Sequence, residues 1–520
     1  MANGQNIGQE WDSEYDVVVV GSGAGAMAGA FSAASRGLKT LVLEKTDLLG
    51  GASSYAGASC WLPGTQVQER AGVQDSREAA NTFLVSLLGG DQAERREAFL
   101  ATAPELVKAL EHDPAIEFRW TAFPDYFPGP GRMEVGRSIM PVDLPREEIG
   151  ELAALVRPRI ERDRLGKSHP DGPLTAGQAL IGRLLLALTN TGNGTVLTGT
   201  AMTGLVIEDG KAVGLTVEGS GGPGRVRARA GVLLGAGGFE ANPQMRADNG
   251  TPGSADWTMA PAAANNGVAI RAAREAGGAV ELMDQAWWCP GPRSLPETAP
   301  SPSASVAGSW WTETESALRM SPFPTTRWDG SWRRLLLTGF PPGLSSIRAS
   351  EELPAIMRPD NTSPAEHLSA GTWLQAETVG ELAELTGLPP AALTDTVARF
   401  NGFAESGVDE DFHRGEDPYD LFFTDPSHGP NPALVPVAQP PYFAARMVLS
   451  DLGTKGGLRT DPDARVLTDG GDPIPGLYAV GNTSASFSGR FYPGPGIPLG
   501  SAMVFAYRAV QSMAGGAAAG

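Results

Sequence analysis

Two kinds of apolar run alternate along this chain. Short unbroken runs such as Val17-Val18-Val19-Val20, Leu41-Val42-Leu43 and Val232-Leu233-Leu234 predict strands. A strand without polar alternation is buried on both faces, as in a parallel sheet covered by helices. In the second kind, apolar residues recur every three to four positions, which predicts helices. These runs cover Asp75 to Leu110, Thr175 to Thr191, residues 377–386 and 391–406, and a C-terminal stretch from about Leu499 to Met513. Between 203 and 234 the residues alternate instead, with Asp209-Gly210 as the turn pair, so this stretch predicts a small β-meander.

A strand, a glycine turn and a helix stand near the N-terminus, and the same sequence of elements recurs near the C-terminus at 476–513. That order predicts an α/β fold whose Rossmann-like sheet domain is discontinuous, assembled from both ends of the chain. The expected division is 1–285 for its first part, 286–440 for an inserted α+β cap, and 441–520 for the return, which begins near Arg446–Ser450. The chemistry is expected between sheet domain and cap.

The glycines say what the sheet holds. The strand ending at Val20 runs into Gly21-Ser22-Gly23-Ala24-Gly25-Ala26. There Gly21 allows the turn, Gly23 admits a pyrophosphate, and Ala26 keeps the helix close to the sheet. The phosphates would rest on the positive N-terminus of that helix. About 20 residues further on, Glu44 closes a second strand, where an acid hydrogen-bonds the adenosine ribose. Lys45 and the step Gly50-Gly51-Ala52-Ser53 follow, well placed to pass a second ring system. Ala236-Gly237-Gly238 ends the strand from Gly231, Gly481-Asn482 ends the last strand, and Leu499 opens the last helix. A nicotinamide dehydrogenase usually completes its nucleotide domain in one block, whereas elements at both ends suit a cofactor held along an extended groove. FAD is the expected cofactor, with its flavin near Gly51, Ala52 and Asn482.

Composition narrows the partners. A net charge of −19 over 520 residues argues against nucleic acid. The valine run is too short to span a membrane or serve as a signal peptide. Cys60 and Cys289 make no disulfide framework, so the cytoplasm is the expected location, with loose attachment to a membrane compatible with it. The five histidines lack ligand spacing, and no metal is expected.

Three segments carry a family resemblance: Phe123-Pro124-Asp125-Tyr126, Asp451-Leu452-Gly453-Thr454-Lys455-Gly456-Gly457-Leu458, and Ser488-Gly489-Arg490-Phe491-Tyr492-Pro493-Gly494-Pro495-Gly496. The chain resembles the 3-ketosteroid Δ1-dehydrogenases, within the wider flavoproteins that include the fumarate reductases. The resemblance covers nearly everything outside about 293–350. It implies FAD-dependent introduction of a C1–C2 double bond into a 3-keto-4-ene steroid, as in steroid catabolism. Hydride would pass from C1 to flavin N5 and a proton from C2 to a tyrosine base, with a quinone or another non-oxygen acceptor reoxidising the cofactor. By the same resemblance, Tyr492 O–H and Gly496 N–H bond the 3-keto oxygen, acidify the C2–H and hold the enolate. A glycine at 496 lets the backbone approach the substrate closely. Tyr126 resembles the tyrosine that assists the base. A fumarate-reductase-like enzyme is the alternative, but those carry a His two residues before the Thr of Thr-x-Gly-Gly. Here that position is Leu452, which suits a sterol ring and leaves a carboxylate without its charged partner.

The pattern breaks in the cap. The family's base should lie in a stretch resembling Val-Val-Asp-x-x-Gly-x-Arg-Phe/Tyr-x-Asn-Glu-Ser-x-Pro-Tyr-Asp, and no such stretch is present. Residues 293–350 read as Ser, Pro, Trp and Arg in no periodic order, too long for an ordinary loop. A shifted reading frame accounts for them. Joining the last base of each codon to the first two of the next, Trp310-Trp311-Thr312 is forced to Val-Asp. Permitted codons continue through Asn-Glu-Ser-Leu-Pro-Tyr-Asp to a forced Gly at Trp328-Asp329, the Tyr straddling Pro324 and Thr325. Glu352-Leu353-Pro354-Ala355-Ile356 resumes the family pattern. Among the 40 basic residues only Lys39, Lys45, Lys108, Lys167, Lys211 and Lys455 are lysines. Such an arginine bias marks a GC-rich gene, whose other frames hold few stop codons. Residues 293–350 are therefore read as an out-of-frame translation. Taken as written, they would leave an FAD-binding protein with impaired or no dehydrogenase activity.

Overall fold

The computed structural model describes residues 10–517 apart from 262, 290, 293–346, 350–363, 423, 425 and 446. Its sheet explains the unbroken valines. Val17 and Val19 belong to a core with Met27, Phe31 and Val504, whereas Val18 and Val20 belong to another with Val232, Ile270 and Ala273. Alternate side chains of one strand thus enter two cores, and neither face needs a polar residue.

Strand Ser13–Val20 pairs in parallel with Thr40–Leu43 on one side and with Gly222–Leu234 on the other. Gly194–Leu197 extends the first side and Pro473–Ala479 the second, both in parallel. Arg465–Leu467 then adds an antiparallel edge. With the meander strands Ala201–Glu208 and Lys211–Gly219, the sheet has eight strands. The C-terminal part of the chain therefore re-enters the sheet that the N-terminal part begins, and helices Ala24–Ala34 and Ile497–Ala517 cover it together.

The helical periodicity between Asp75 and Leu110 resolves into two helices, Arg77–Leu88 and Ala93–Leu110. Gly89 and Gly90, poor helix formers, separate them. Thr175 stands at the N-cap position of the helix Ala176–Asn190 without a side-chain capping bond, whereas Thr378 with Glu381 forms a capping box on Val379–Thr386. That helix and Pro390–Ser406 share a core of Leu382, Val397, Phe400 and Leu434 with a separate three-stranded sheet. The sheet comprises Ile347–Ala349, Tyr442–Ala445 and Trp373–Ala376. Its middle strand carries this unit past 440, the boundary expected from the sequence. The segment read as out of frame lies outside the described residues, save for Ile347–Ala349. Ala286–Trp288 pairs antiparallel with Asp451–Thr454, which brings two tryptophans beside the Asp451–Leu458 motif. No helix among the described residues is long and apolar enough to cross a membrane.

Candidate active site

A cleft opens where the first strand turns into the first helix. Gly21 there has φ of +97°, and a Cβ would lie 2.3 Å from the Gly235 carbonyl oxygen. Only glycine lets these two strand ends pass so closely. Ser22, Gly23, Gly25 and Ala26 line the wall beyond it, at the N-terminus of helix Ala24–Ala34. The Ala24 N–H donates to Ser53 Oγ at 3.0 Å, tying the helix to the facing Gly51-Ala52-Ser53 wall. Glu44 and Lys45 line the same end, and the buried Glu44 carboxylate accepts from Ser22 Oγ at 2.5 Å and from the Thr46 N–H at 2.9 Å. Ala236, Gly237, Gly238, Gly481, Asn482 and Leu499 complete the walls.

Gly50 is the one expected cofactor residue that does not line the cleft. It is buried, and its N–H donates to Ser22 Oγ at 2.8 Å, so it braces the turn from behind. Arg157 lines the cleft without any mark in the sequence around it. Its guanidinium donates to Asp163, to Thr46 Oγ1 and to the Leu48 carbonyl, while its buried Nε has no partner among the described residues.

Tyr126, Leu452, Tyr492 and Gly496 line the same cleft, brought there from three parts of the chain. Tyr126 is only 2% exposed, and its N–H donates to the Pro493 carbonyl at 3.0 Å. Its ring stands edge-on to Tyr492, with centroids 5.3 Å apart. Ser138 Oγ donates to the Pro495 carbonyl at 2.7 Å, so the 492–496 loop is pinned from two sides. Gly496 has φ of +88°, and a Cβ would fall 1.9 Å from the Ser59 carbonyl oxygen. The backbone of Ser59 therefore already demands glycine there, whatever binds in the cleft. Leu452 packs beside Tyr55 and Met259.

Burial dominates the electrostatics of this end. It pushes the Tyr492 hydroxyl well above a tyrosine's ordinary range, and the Gly496 N–H offsets only part of the rise. Tyr126 is likewise held well above its usual value by burial, then by Tyr492 and Tyr419. Both hydroxyls therefore hold their protons at any physiological pH. Asp125, next in the chain to Tyr126, is pushed up to about 6 by burial, against the pull of Arg137.

The cleft runs from the Gly21–Ala26 turn to Tyr492 and Gly496, and holds about 1740 Å³ of space with its open mouth included. An FAD and a second ligand fit these residues. A helix N-terminus and the orphaned Arg157 donor suit the adenosine diphosphate half, and a tyrosine pair with an apolar side chain suits a ketone on an apolar skeleton. Fold and cleft together define an FAD-dependent oxidoreductase. Residues 16–499 match the FAD binding domain family. The 3-oxosteroid 1-dehydrogenase of Rhodococcus opacus is 42% identical, over 97% of this chain and 100% of that protein. The enzyme of the same name from Mycobacterium tuberculosis is 38% identical, over 96% and 98%. Among solved structures, the 3-ketosteroid Δ1-dehydrogenase of Sterolibacterium denitrificans, in complex with 1,4-androstadiene-3,17-dione, superposes with a TM-score of 0.83 at 29% identity, over 97% of this chain and 100% of that one. The chain belongs to the 3-oxosteroid 1-dehydrogenase family, and FAD is its cofactor.

Proposed function

We propose that this protein introduces the C1–C2 double bond into 3-keto-4-ene steroids, with the steroid ketone held between Tyr492 O–H and the Gly496 N–H. The observation that carries this reading is the placement of these two donors together at one end of the FAD cleft, beside apolar Leu452. FAD, held along the Gly21–Ala26 turn and the Gly51–Ser53 wall, would supply the acceptor for the hydride that leaves C1. Hydrogen bonds to the 3-keto oxygen strengthen as charge develops there, which acidifies the C2–H. Leu452 and the aromatic walls exclude water and accept the sterol skeleton. The proton at C2 needs a separate base, because Tyr492 is engaged as a donor to the ketone and burial makes Tyr126 harder to ionise than an ordinary tyrosine. In this reading Tyr126 orients that base, a tyrosine encoded in the shifted frame across Pro324 and Thr325, which lie outside the described residues. The sheet unit takes 1–285 and 441–520 around a cap at 286–440, with the strand Tyr442–Ala445 of the return segment completing the cap's small sheet. The protein acts in the cytoplasm, touching the membrane only loosely, and passes its electrons to a quinone or another acceptor other than oxygen.

Removing one donor tests the assignment. With a 3-keto-4-ene steroid and an artificial electron acceptor, the protein should form the 1,4-diene. Tyr492→Phe should lower kcat by about 10²–10³, the usual loss for one oxyanion donor, with FAD content unchanged. An undiminished kcat would remove Tyr492 from the mechanism.

A further inference from the structure

Lys455, inside the Asp451–Leu458 motif, is buried yet forms no ion pair among the described residues. Its backbone is fixed on both sides, with its N–H donating to the Gln285 carbonyl at 2.9 Å and its carbonyl accepting from the Ser486 N–H at 3.1 Å. The side chain leaves this anchor and points at the 492–496 loop. There Nζ donates to the carbonyl of Phe491, the residue before Tyr492. Nζ also sits 4.3 Å from the centre of the Trp287 ring. Trp287 in turn stands edge-on to Tyr492, with centroids 5.0 Å apart, and its Nε1–H donates to Asn482 Oδ1 at 3.0 Å. Lys455 thus reaches Tyr492 along two routes, one through the peptide before it and one through the indole beside it.

A lysine is a costly way to fill such a place. Burial, and then Arg490, hold its ammonium well below a lysine's ordinary range. An apolar side chain of similar length would fill the space without that cost. It could not donate to the Phe491 carbonyl, whereas the lysine does so in either charge state.

We propose that Lys455 is a positioning residue that sets the Tyr492 hydroxyl against the steroid ketone, through the Phe491 carbonyl and the Trp287 ring. It rests on the reading of Tyr492 as a donor to that ketone. Lys455 touches neither the ketone nor the reacting carbons, so its loss acts only through the placement of Tyr492.

A double-mutant cycle in the FAD-loaded full-length protein tests this. Lys455→Met should load FAD fully and melt no lower than the wild type, yet turn over roughly ten- to a hundredfold more slowly, the range for a misplaced reacting group. In a Tyr492→Phe background the same substitution should cost nothing further. Multiplicative losses would mean that Lys455 acts independently of Tyr492, and an unchanged kcat in Lys455→Met would mean that it does not act; either overturns the proposal. An unchanged kcat in Tyr492→Phe alone would sink the reading beneath it, and this proposal with it. Should Lys455→Met not load FAD, Lys455→Gln takes its place in the cycle. Its donor ends one bond short of the lysine's, so it should slow turnover severalfold, and that loss must vanish in the Tyr492→Phe background; a loss that persists there overturns the proposal.

Discussion

Asp125 is buried against Trp61, whose Nε1–H donates to it at 2.7 Å, and against the Met133 N–H at 3.0 Å. These bonds hold the turn from which Tyr126 enters the cleft. With a folded pKa near 6 against an unfolded 3.8, Asp125 keeps its proton longer in the native state. Its contribution to stability is full below the lower value and is lost as pH rises through the upper one. Wild type should therefore gain in Tm relative to Asp125→Asn as pH falls from about 6 to about 3.8, while the two curves run parallel above 7. Parallel curves across the whole range would contradict the shift. Tyr126, Tyr492 and Gly496 were legible in the sequence because short motifs carry them. Arg157 and the surroundings of Lys455 were not. Their partners Thr46, Phe491 and Trp287 come from other parts of the chain, and no local pattern records such pairings.

Among the elements, the strand-turn-helix at Ser13–Ala34 was the most legible. A strand buried on both faces and a turn that only glycine allows leave marks in composition that tertiary contacts do not erase. Gly50 shows the limit of that logic, since a glycine can brace a turn from behind and never meet the ligand. The break at Gly89-Gly90 inside a continuous helical period was missed because periodicity persists across a short interruption. Gly21→Ala brings a Cβ to 2.3 Å from the Gly235 carbonyl and forces the turn open at the phosphate-binding end. The variant should purify with little or no bound flavin, read as flavin absorbance per protein. Full occupancy would show that this close approach does not shape the cofactor site.

At the scale of the whole molecule, the sequence revealed that the sheet is shared between the two ends of the chain, because both ends carry strand-glycine-helix units. Parallel pairing of Pro473–Ala479 with Gly222–Leu234 is the physical form of that sharing. The strand Tyr442–Ala445 was less legible, because its pairing with Trp373–Ala376 and Ile347–Ala349 is long-range. For 293–350, peptide mass mapping of the natively expressed protein should find Asn-Glu-Ser-Leu-Pro-Tyr-Asp. Masses matching Trp310-Trp311-Thr312 as written would mean a cap without its base, and dehydrogenation lower by about 10²–10⁴. The most direct test of the whole account is anaerobic mixing of the native, FAD-loaded protein with a 3-keto-4-ene steroid. The account predicts that the flavin bleaches and an equivalent of 1,4-diene appears. A flavin that stays oxidised with steroid bound would make this a flavin-binding protein without dehydrogenase activity.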